Sequence, residues 1–134
     1  EQIVKVTKGG YILKDSKNFD IIIIATGSEV GIVMQAASDL EKKGINVRVI
    51  SMLSTEIFDR QEDDYKESVL PSNFKNKLAV EAGSTSFWYK YVGSNGDIIG
   101  INSFGESAPG DKLLDYFGFS SKNVVERAER LMEK

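Results

Sequence analysis

The sequence predicts a parallel α/β domain whose central sheet is covered by helices on both faces. Residues 20–26 form an apolar run that leads through a short turn into an amphipathic helix beginning near Val30. The four consecutive isoleucines at 21–24 leave no polar face for water, which is typical of a strand buried in a parallel sheet. Residues 45–50 form a second apolar strand after the helix. Strand, helix and strand therefore make a βαβ unit, for which a right-handed crossover is expected.

The first elements are bounded by charged, capping and glycine residues. Residues 11–13 predict a short strand at an edge of the sheet, because two charged residues end it. The helix from Val30 carries its apolar residues at helical spacing. Ser28 is placed to cap the start of this helix, and Gly44 is placed to end it.

The rest of the chain continues the alternation of helices and strands. In order, the pattern predicts short helices within 51–71 that end at Pro71, a strand over 78–81, a helix over 84–92, a strand over 97–101, a helix over 107–117 that Gly118 ends, and a last helix with Val124, Val125, Ala128, Leu131 and Met132 on one face.

The composition is that of one ordinary globular domain, which we place at residues 1–134. Hydrophobic residues make up 41% and charged residues 28% of the chain, which argues against disorder. With 17 basic and 20 acidic residues the net charge is -3, so neither nucleic acid nor an acidic membrane surface is an expected partner. No apolar run approaches the ~20 residues of a membrane span. No secretory signal is visible, so the expected location is the cytoplasm.

Cysteine and histidine are both absent from the chain. Disulfides, thiolate nucleophiles, zinc sites of the usual ligand type and the commonest general base all depend on these residues. The chain is therefore restricted to functions that need none of these groups.

The turn formed by Gly27, Ser28 and Glu29 is a candidate anion site. It lies beyond the carboxyl end of a strand and at a helix N-terminus, where open α/β sheets often bind ligands and backbone amides attract phosphate or carboxylate. The turn has neither the glycine pattern of a dinucleotide site nor the lysine of a P-loop. Capping is the simpler interpretation, because Ser28 is a common cap residue and Glu29 already offers a negative charge to the helix dipole.

An acidic cluster in the region 51–71 offers oxygen ligands to a hard cation, but its spacing matches no EF-hand loop. Carboxylates in the first turn of a surface helix need no ligand to explain them, so a solvated surface is the preferred interpretation. The cluster consists of Glu56, Asp59, Glu62, Asp63 and Asp64.

The aromatic group Phe87, Trp88, Tyr89 and Tyr91 is a candidate interface. Four aromatic side chains crowded onto one short helix cannot all face a single core. We therefore expect part of the group to contact another domain or subunit, and prefer an interface or the core to a small-molecule platform.

Six segments of the chain occur in an order and spacing that together identify a family. They are ATGSEV at 25–30, VRVISM at 47–52, FDRQ at 58–61, YKESVLP at 65–71, VEAG at 80–83 and FGESAP at 104–109. No single segment is specific for one family, but the ordered set is. Together with GGY at 9–11 and GF at 118–119, the set covers nearly the whole chain. Taken together, these segments resemble the C-terminal domain of transketolase.

The resemblance implies an architecture and a parent enzyme. The architecture is a three-layer α/β/α sandwich around a five-stranded, mostly parallel mixed sheet with an antiparallel first strand, which agrees with an edge strand at 11–13. Transketolases transfer a two-carbon ketol unit between sugar phosphates in the pentose phosphate pathway. They use thiamine diphosphate and a divalent cation, magnesium or calcium, and they are homodimers whose active sites lie at the subunit interface.

The resemblance also places the catalytic machinery outside this chain. In the family, the N-terminal domain holds the diphosphate and the metal, the middle domain supplies the cofactor-activating glutamate, and the histidines of these domains have no counterpart here. No catalytic, cofactor-binding or metal-binding residue carries over, so the isolated chain is expected to be inactive. Its implied role is structural, dimer-supporting or regulatory, with the remaining domains and a second subunit as partners.

Two alternatives stay open at this point. One is the same domain of a related thiamine diphosphate enzyme such as dihydroxyacetone synthase. The other is a stand-alone regulatory module that binds an anion at Gly27, Ser28 and Glu29.

Overall fold

A computed structural model describes residues 7–26, 29–81, 88–93, 95–100 and 120–133. The predicted helix over 107–117, its end at Gly118 and the first residues of the predicted helix over 84–92 lie outside the described residues. The described elements are, in chain order, β1 (Gly10–Lys14), β2 (Ile21–Ala25), α1 (Val30–Lys42), β3 (Val47–Met52), α2 (Thr55–Asp59), α3 (Asp63–Val69), β4 (Lys77–Glu81), α4 (Tyr89–Val92), β5 (Asp97–Gly100) and α5 (Ser121–Met132).

The five strands form one sheet in the order β1-β3-β2-β4-β5. Strand β1 lies at an edge and is antiparallel to β3, whereas the other neighbours are parallel. The mixed sheet with an antiparallel first strand is therefore confirmed. From the central β2 the chain moves to β3 on one side and then to β4 on the other side. The carboxyl ends of β2 and β4 thus flank a topological switch point, the place where open α/β sheets commonly bind ligands.

Strand β2 is covered on both faces, as its isoleucine run predicts. All five of its residues are fully buried. Because successive side chains of a strand point to opposite faces, Ile23 packs in a core with α1 and α5, and Ile22 packs in a second core with residues of α2, α3 and α4. The two cores on either side of one sheet make the three-layer α/β/α sandwich.

Helix α1 ends as predicted, and its end shifts the next strand. Gly44 follows the helix with a φ of 84°, which glycine adopts without strain. The N–H group of Ile45 then donates a hydrogen bond of 3.1 Å to the carbonyl oxygen of Leu40. The N–H group of Ile45 is therefore bonded to the end of α1 and not to a neighbouring strand. Strand β3 begins at Val47 rather than at the predicted residue 45.

The start of α1 differs from the simple prediction. The N-cap position is taken by Glu29, whose backbone is helical (φ -81°, ψ -8°) and whose side chain makes no capping hydrogen bond. The predicted cap, Ser28, lies outside the described residues.

Of the helices in the described part of the chain, none is both long and apolar enough to cross a membrane.

Candidate functional site

The strand ends at the switch point carry polar side chains that contact each other. Ala25 of β2 is in register with Val80 of β4, so the residues that follow them, Thr26 and Glu81, come to lie side by side. The Thr26 hydroxyl donates a hydrogen bond of 2.7 Å to a Glu81 carboxylate oxygen. This bond ties together the two strand ends that flank the switch point.

Glu29 gives the same edge a second carboxylate. The residue is 3% exposed and lies at the N-terminus of α1, where the first backbone N–H groups concentrate positive partial charge. Its own N–H group donates a hydrogen bond of 2.9 Å to the carbonyl oxygen of Thr26, which closes the turn from strand to helix. The helix terminus is therefore already complemented by a negative charge from within the protein.

The described part of this edge is acidic. Glu29 acts on the helix terminus as a bound anion would, and Glu81, bonded to Thr26, adds a second carboxylate to this edge. A ligand that donates hydrogen bonds suits the Glu81 carboxylate better than an anion, which this carboxylate would repel. Gly27 and Ser28 lie outside the described residues, so the candidate anion site at Gly27, Ser28 and Glu29 stays a prediction.

The structure separates the members of the aromatic group. Trp88 and Tyr91 are buried in this domain's own core, with ring centroids 5.2 Å apart. Tyr89 is 49% exposed, and Phe87 lies outside the described residues. The division follows from helix geometry, because residues two apart on a single turn point in different directions. The interface prediction therefore depends on Tyr89 rather than on Trp88 or Tyr91.

Asp59 fixes the orientation of α4. Its carboxylate accepts hydrogen bonds of 3.0 Å from the Tyr91 hydroxyl and 2.8 Å from the Lys90 ammonium group. The hydrogen bond to Asp59 raises the pKa of Lys90 above its ordinary value. Burial, and then the neighbouring Asp59 carboxylate, raise the pKa of Tyr91. Asp59, one member of the acidic cluster, thus has partners within the protein.

Other members of the acidic cluster lie beside basic residues at the surface. A Glu56 carboxylate oxygen is 4.0 Å from the Arg60 guanidinium, and an Asp63 carboxylate oxygen is 3.6 Å from the Lys66 ammonium group. Within the described ranges, no group of three or more acidic, histidine or cysteine side chains is arranged to hold a metal ion. These pairs account for Glu56 and Asp63 without a ligand.

Sequence reasoning missed a cavity of about 280 Å³ between α2, α3 and α4. Lys77, the first residue of β4, lies in its wall and is only 5% exposed. The sequence feature that could have indicated this cavity is the lysine directly before the apolar run 78–80. The pattern alone, however, predicts that such a lysine is exposed at the start of a strand. The other charged or phenolic side chains of the wall are Asp59, Lys66, Glu67, Lys90 and Tyr91.

Comparison with known proteins gives one consistent result. The family described as the transketolase-like TK C-terminal domain matches residues 9–120. Transketolase 2 of Escherichia coli is 53% identical over 133 residues, which is 98% of this chain and 20% of that protein.

Solved structures give the same result at the level of the fold. A transketolase of Pichia stipitis in complex with sedoheptulose 7-phosphate superposes with a TM-score of 0.88 at 40% identity, over 98% of this chain and 19% of that one. A transketolase of Leishmania mexicana superposes with a TM-score of 0.88 at 35% identity and with the same coverage. The chain therefore spans about a fifth of the length of the proteins it matches.

Proposed function

This chain belongs to the transketolase family as a C-terminal domain, and on that premise we propose the function of the whole enzyme. The enzyme transfers a two-carbon ketol unit between sugar phosphates in the cytoplasmic pentose phosphate pathway, with thiamine diphosphate and a divalent cation such as magnesium. The observation that carries the proposal is the match to this one domain over residues 9–120, together with 53% identity to an Escherichia coli transketolase. The chain spans 20% of that relative, and we assign the chemistry to the remaining domains of the proposed whole enzyme.

The residues of this chain that the structure describes do not fit thiamine diphosphate or its metal. The sequence has no histidine, and within the described ranges no cluster of metal-ligating side chains is present. The switch point, where a ligand would be expected, carries Glu81, whose carboxylate repels a diphosphate. We therefore assign cofactor binding and catalysis to the other domains.

The role that we propose for this domain is to support assembly, as a rigid body that presents Tyr89 to another domain or to the second subunit of a homodimer. Tyr89 exposes half of its surface, while the next two residues are tied to Asp59 of α2. A ring held on an anchored helix loses little conformational freedom when it is buried in an interface. Tyrosine is also among the residues that contribute most to binding energy in interfaces.

The whole-enzyme proposal is tested in a chimera in which this chain replaces the corresponding domain of the Escherichia coli transketolase 2. We expect the chimera to transfer ketol units from a ketose phosphate to an aldose phosphate, and the isolated 134-residue chain to show no transfer. A dimeric, cofactor-loaded chimera without turnover would contradict the proposal.

The role of Tyr89 is tested in the same chimera. Tyr89→Ser is expected to weaken subunit or domain association by about ten-fold, equivalent to ~1.4 kcal/mol. It should leave the melting temperature of the isolated chain nearly unchanged, because the ring is half exposed there. Tyr89→Phe is the matched control, since it keeps the ring and should keep the association. Unchanged sedimentation behaviour of Tyr89→Ser would refute the interface role while leaving the proposed activity standing.

A further inference from the structure

The cavity between α2, α3 and α4 contains a largely buried lysine whose charge Glu67 compensates only in part. Lys77 is paired in register with Ile22, whose side chain packs in the core on the α2–α4 side of the sheet. The pleat therefore directs the Lys77 side chain away from α1 and α5 and into the cavity wall. The Lys77 residue is 5% exposed, and its ammonium group has no hydrogen bond or ion pair with the residues that the structure describes. No buried side-chain nitrogen of the described residues lacks a partner, so the Lys77 ammonium nitrogen itself stays accessible from the cavity.

The neighbouring charges are already engaged by other partners. Asp59 accepts hydrogen bonds from Lys90 and Tyr91. Both oxygens of the Glu67 carboxylate lie within 3.2 Å of the Ser72 backbone nitrogen, which donates to them.

Lys66 is likewise engaged, because its ammonium group donates a hydrogen bond of 3.1 Å to the backbone oxygen of Asp59. Among the residues that the structure describes, the charged side chains of the wall are three lysines and two carboxylates, which leaves one positive charge in excess in this part of the wall. That excess is centred on Lys77, the most deeply buried of the three lysines.

A cation with reduced access to water is stabilised when an anion joins it. Partial removal of an ammonium group from water carries a free-energy cost, which a nearby partner of opposite charge offsets. Burial accordingly lowers the pKa of Lys77, and Glu67 offsets only part of this effect. A bound anion would supply the missing partner and would also meet the positive ends of Lys66 and Lys90 at the same wall.

The rest of the wall indicates what the anion carries with it. The volume of about 280 Å³ is close to the lower end of small-molecule sites and leaves room beside a single phosphate. Phe58 and Leu70 give the wall an apolar part, which suits the carbon atoms of a small organic group. Three lysines in one cavity wall favour phosphate, whose oxygens accept hydrogen bonds from donors in different directions.

We propose that this cavity binds a small phosphate monoester, with the phosphate group paired to the Lys77 ammonium group. The site lies among α2, α3, α4 and the start of β4, away from the carboxyl edge formed by Thr26, Glu29 and Glu81. It does not depend on the proposed transferase activity, since none of its residues is assigned to catalysis.

The test is a titration of the 134-residue chain followed by amide NMR shifts, with glycerol 3-phosphate, inorganic phosphate and neutral glycerol as probes. We expect glycerol 3-phosphate to saturate a site whose shifted amides lie around Lys77, Glu67 and Lys90. Inorganic phosphate should bind the same site more weakly, and glycerol should not bind. Shifts confined to other parts of the chain would overturn the proposal, and equal affinity for both phosphates would overturn the monoester assignment.

Two variants that each remove one positive charge test whether Lys77 is the residue that pairs with the phosphate. Lys77→Met should weaken glycerol 3-phosphate binding by ~10-fold or more, because the phosphate would lose its buried partner. Lys42→Met removes an exposed charge from α1, on the opposite side of the sheet, and should change the affinity by less than ~2-fold. Lys77→Arg keeps the charge and should keep measurable binding. Equal affinities of the parent chain and Lys77→Met, both showing cooperative melting, would refute the role of Lys77.

Discussion

Ile22→Ala and Ile23→Ala are expected to destabilise the domain by similar amounts, although the two side chains lie on opposite faces of the sheet. Both residues are fully buried, and each packs in a different core. Truncation of a buried isoleucine to alanine removes transfer free energy and leaves a cavity, which together cost about 2–5 kcal/mol. Each substitution should therefore consume a large share of the ~5–15 kcal/mol that stabilises a typical domain.

The expected change in melting temperature follows from the length of the chain. The entropy of unfolding is about 2.1 cal/mol/K per residue near the midpoint, or about 0.28 kcal/mol/K for 134 residues. A loss of about 2–5 kcal/mol therefore lowers the melting temperature by about 7–18 °C. Ile22→Asp and Ile23→Asp should abolish cooperative melting altogether, because each leaves an unpaired carboxylate in a covered sheet.

The assay is thermal unfolding of the 134-residue chain by circular dichroism, with Ile12→Ala as the control. Ile12 lies on the edge strand β1 and is only partly buried, so its truncation should cost less than either central substitution. If Ile22→Ala or Ile23→Ala lowers the stability by less than ~1 kcal/mol, one face of β2 is open and the two-sided core is refuted.

Two further predictions concern ion pairs. Arg48 holds the pKa of Asp15 below its ordinary value, so the resulting stability is present above the unfolded pKa of about 4 and is lost as the pH falls through the folded value. Because Asp15 is 47% exposed the effect is small, and acid melts should show the gap between the parent and Asp15→Asn closing below about pH 4. If the difference in melting temperature between the parent chain and Asp15→Asn were constant from neutral pH to strong acid, the contribution of the Asp15–Arg48 pair to stability would be refuted. Arg127→Met removes two contacts of 2.8 Å between α5 and Asp97 at the start of β5, and should cost about 1–3 kcal/mol in urea unfolding. A cost below ~0.5 kcal/mol would show that the pair is screened like a surface ion pair.

Sequence patterns predict an element well when its own residues are enough to show whether it is buried. The isoleucines at 21–24 specify a strand buried on both faces without reference to any partner, and the structure confirms it. The start of β3 is harder to predict, because Ile45 is apolar and fits a strand, yet its N–H group is used by the end of α1. The difference depends on backbone hydrogen bonding that an apolar pattern does not report.

Which aromatic residues are buried could not be predicted from their spacing. Four aromatic residues within a short segment indicate that some remain outside the core, but the choice depends on a partner from another element. Asp59 of α2 holds Tyr91 inward through a hydrogen bond of 3.0 Å and leaves Tyr89 outward. The cavity around Lys77 escaped prediction for the same reason, since its wall is assembled from three helices and a strand end.

The claim that this chain is a transketolase C-terminal domain without cofactor contacts is tested most directly by calorimetry with thiamine diphosphate and magnesium. We predict no binding heat for the isolated chain, and a dissociation constant for the chimera within ~2-fold of that of the Escherichia coli parent enzyme. Micromolar binding by the isolated chain, or a folded dimeric chimera that binds the cofactor more than ~10-fold more weakly than the parent, would contradict the claim.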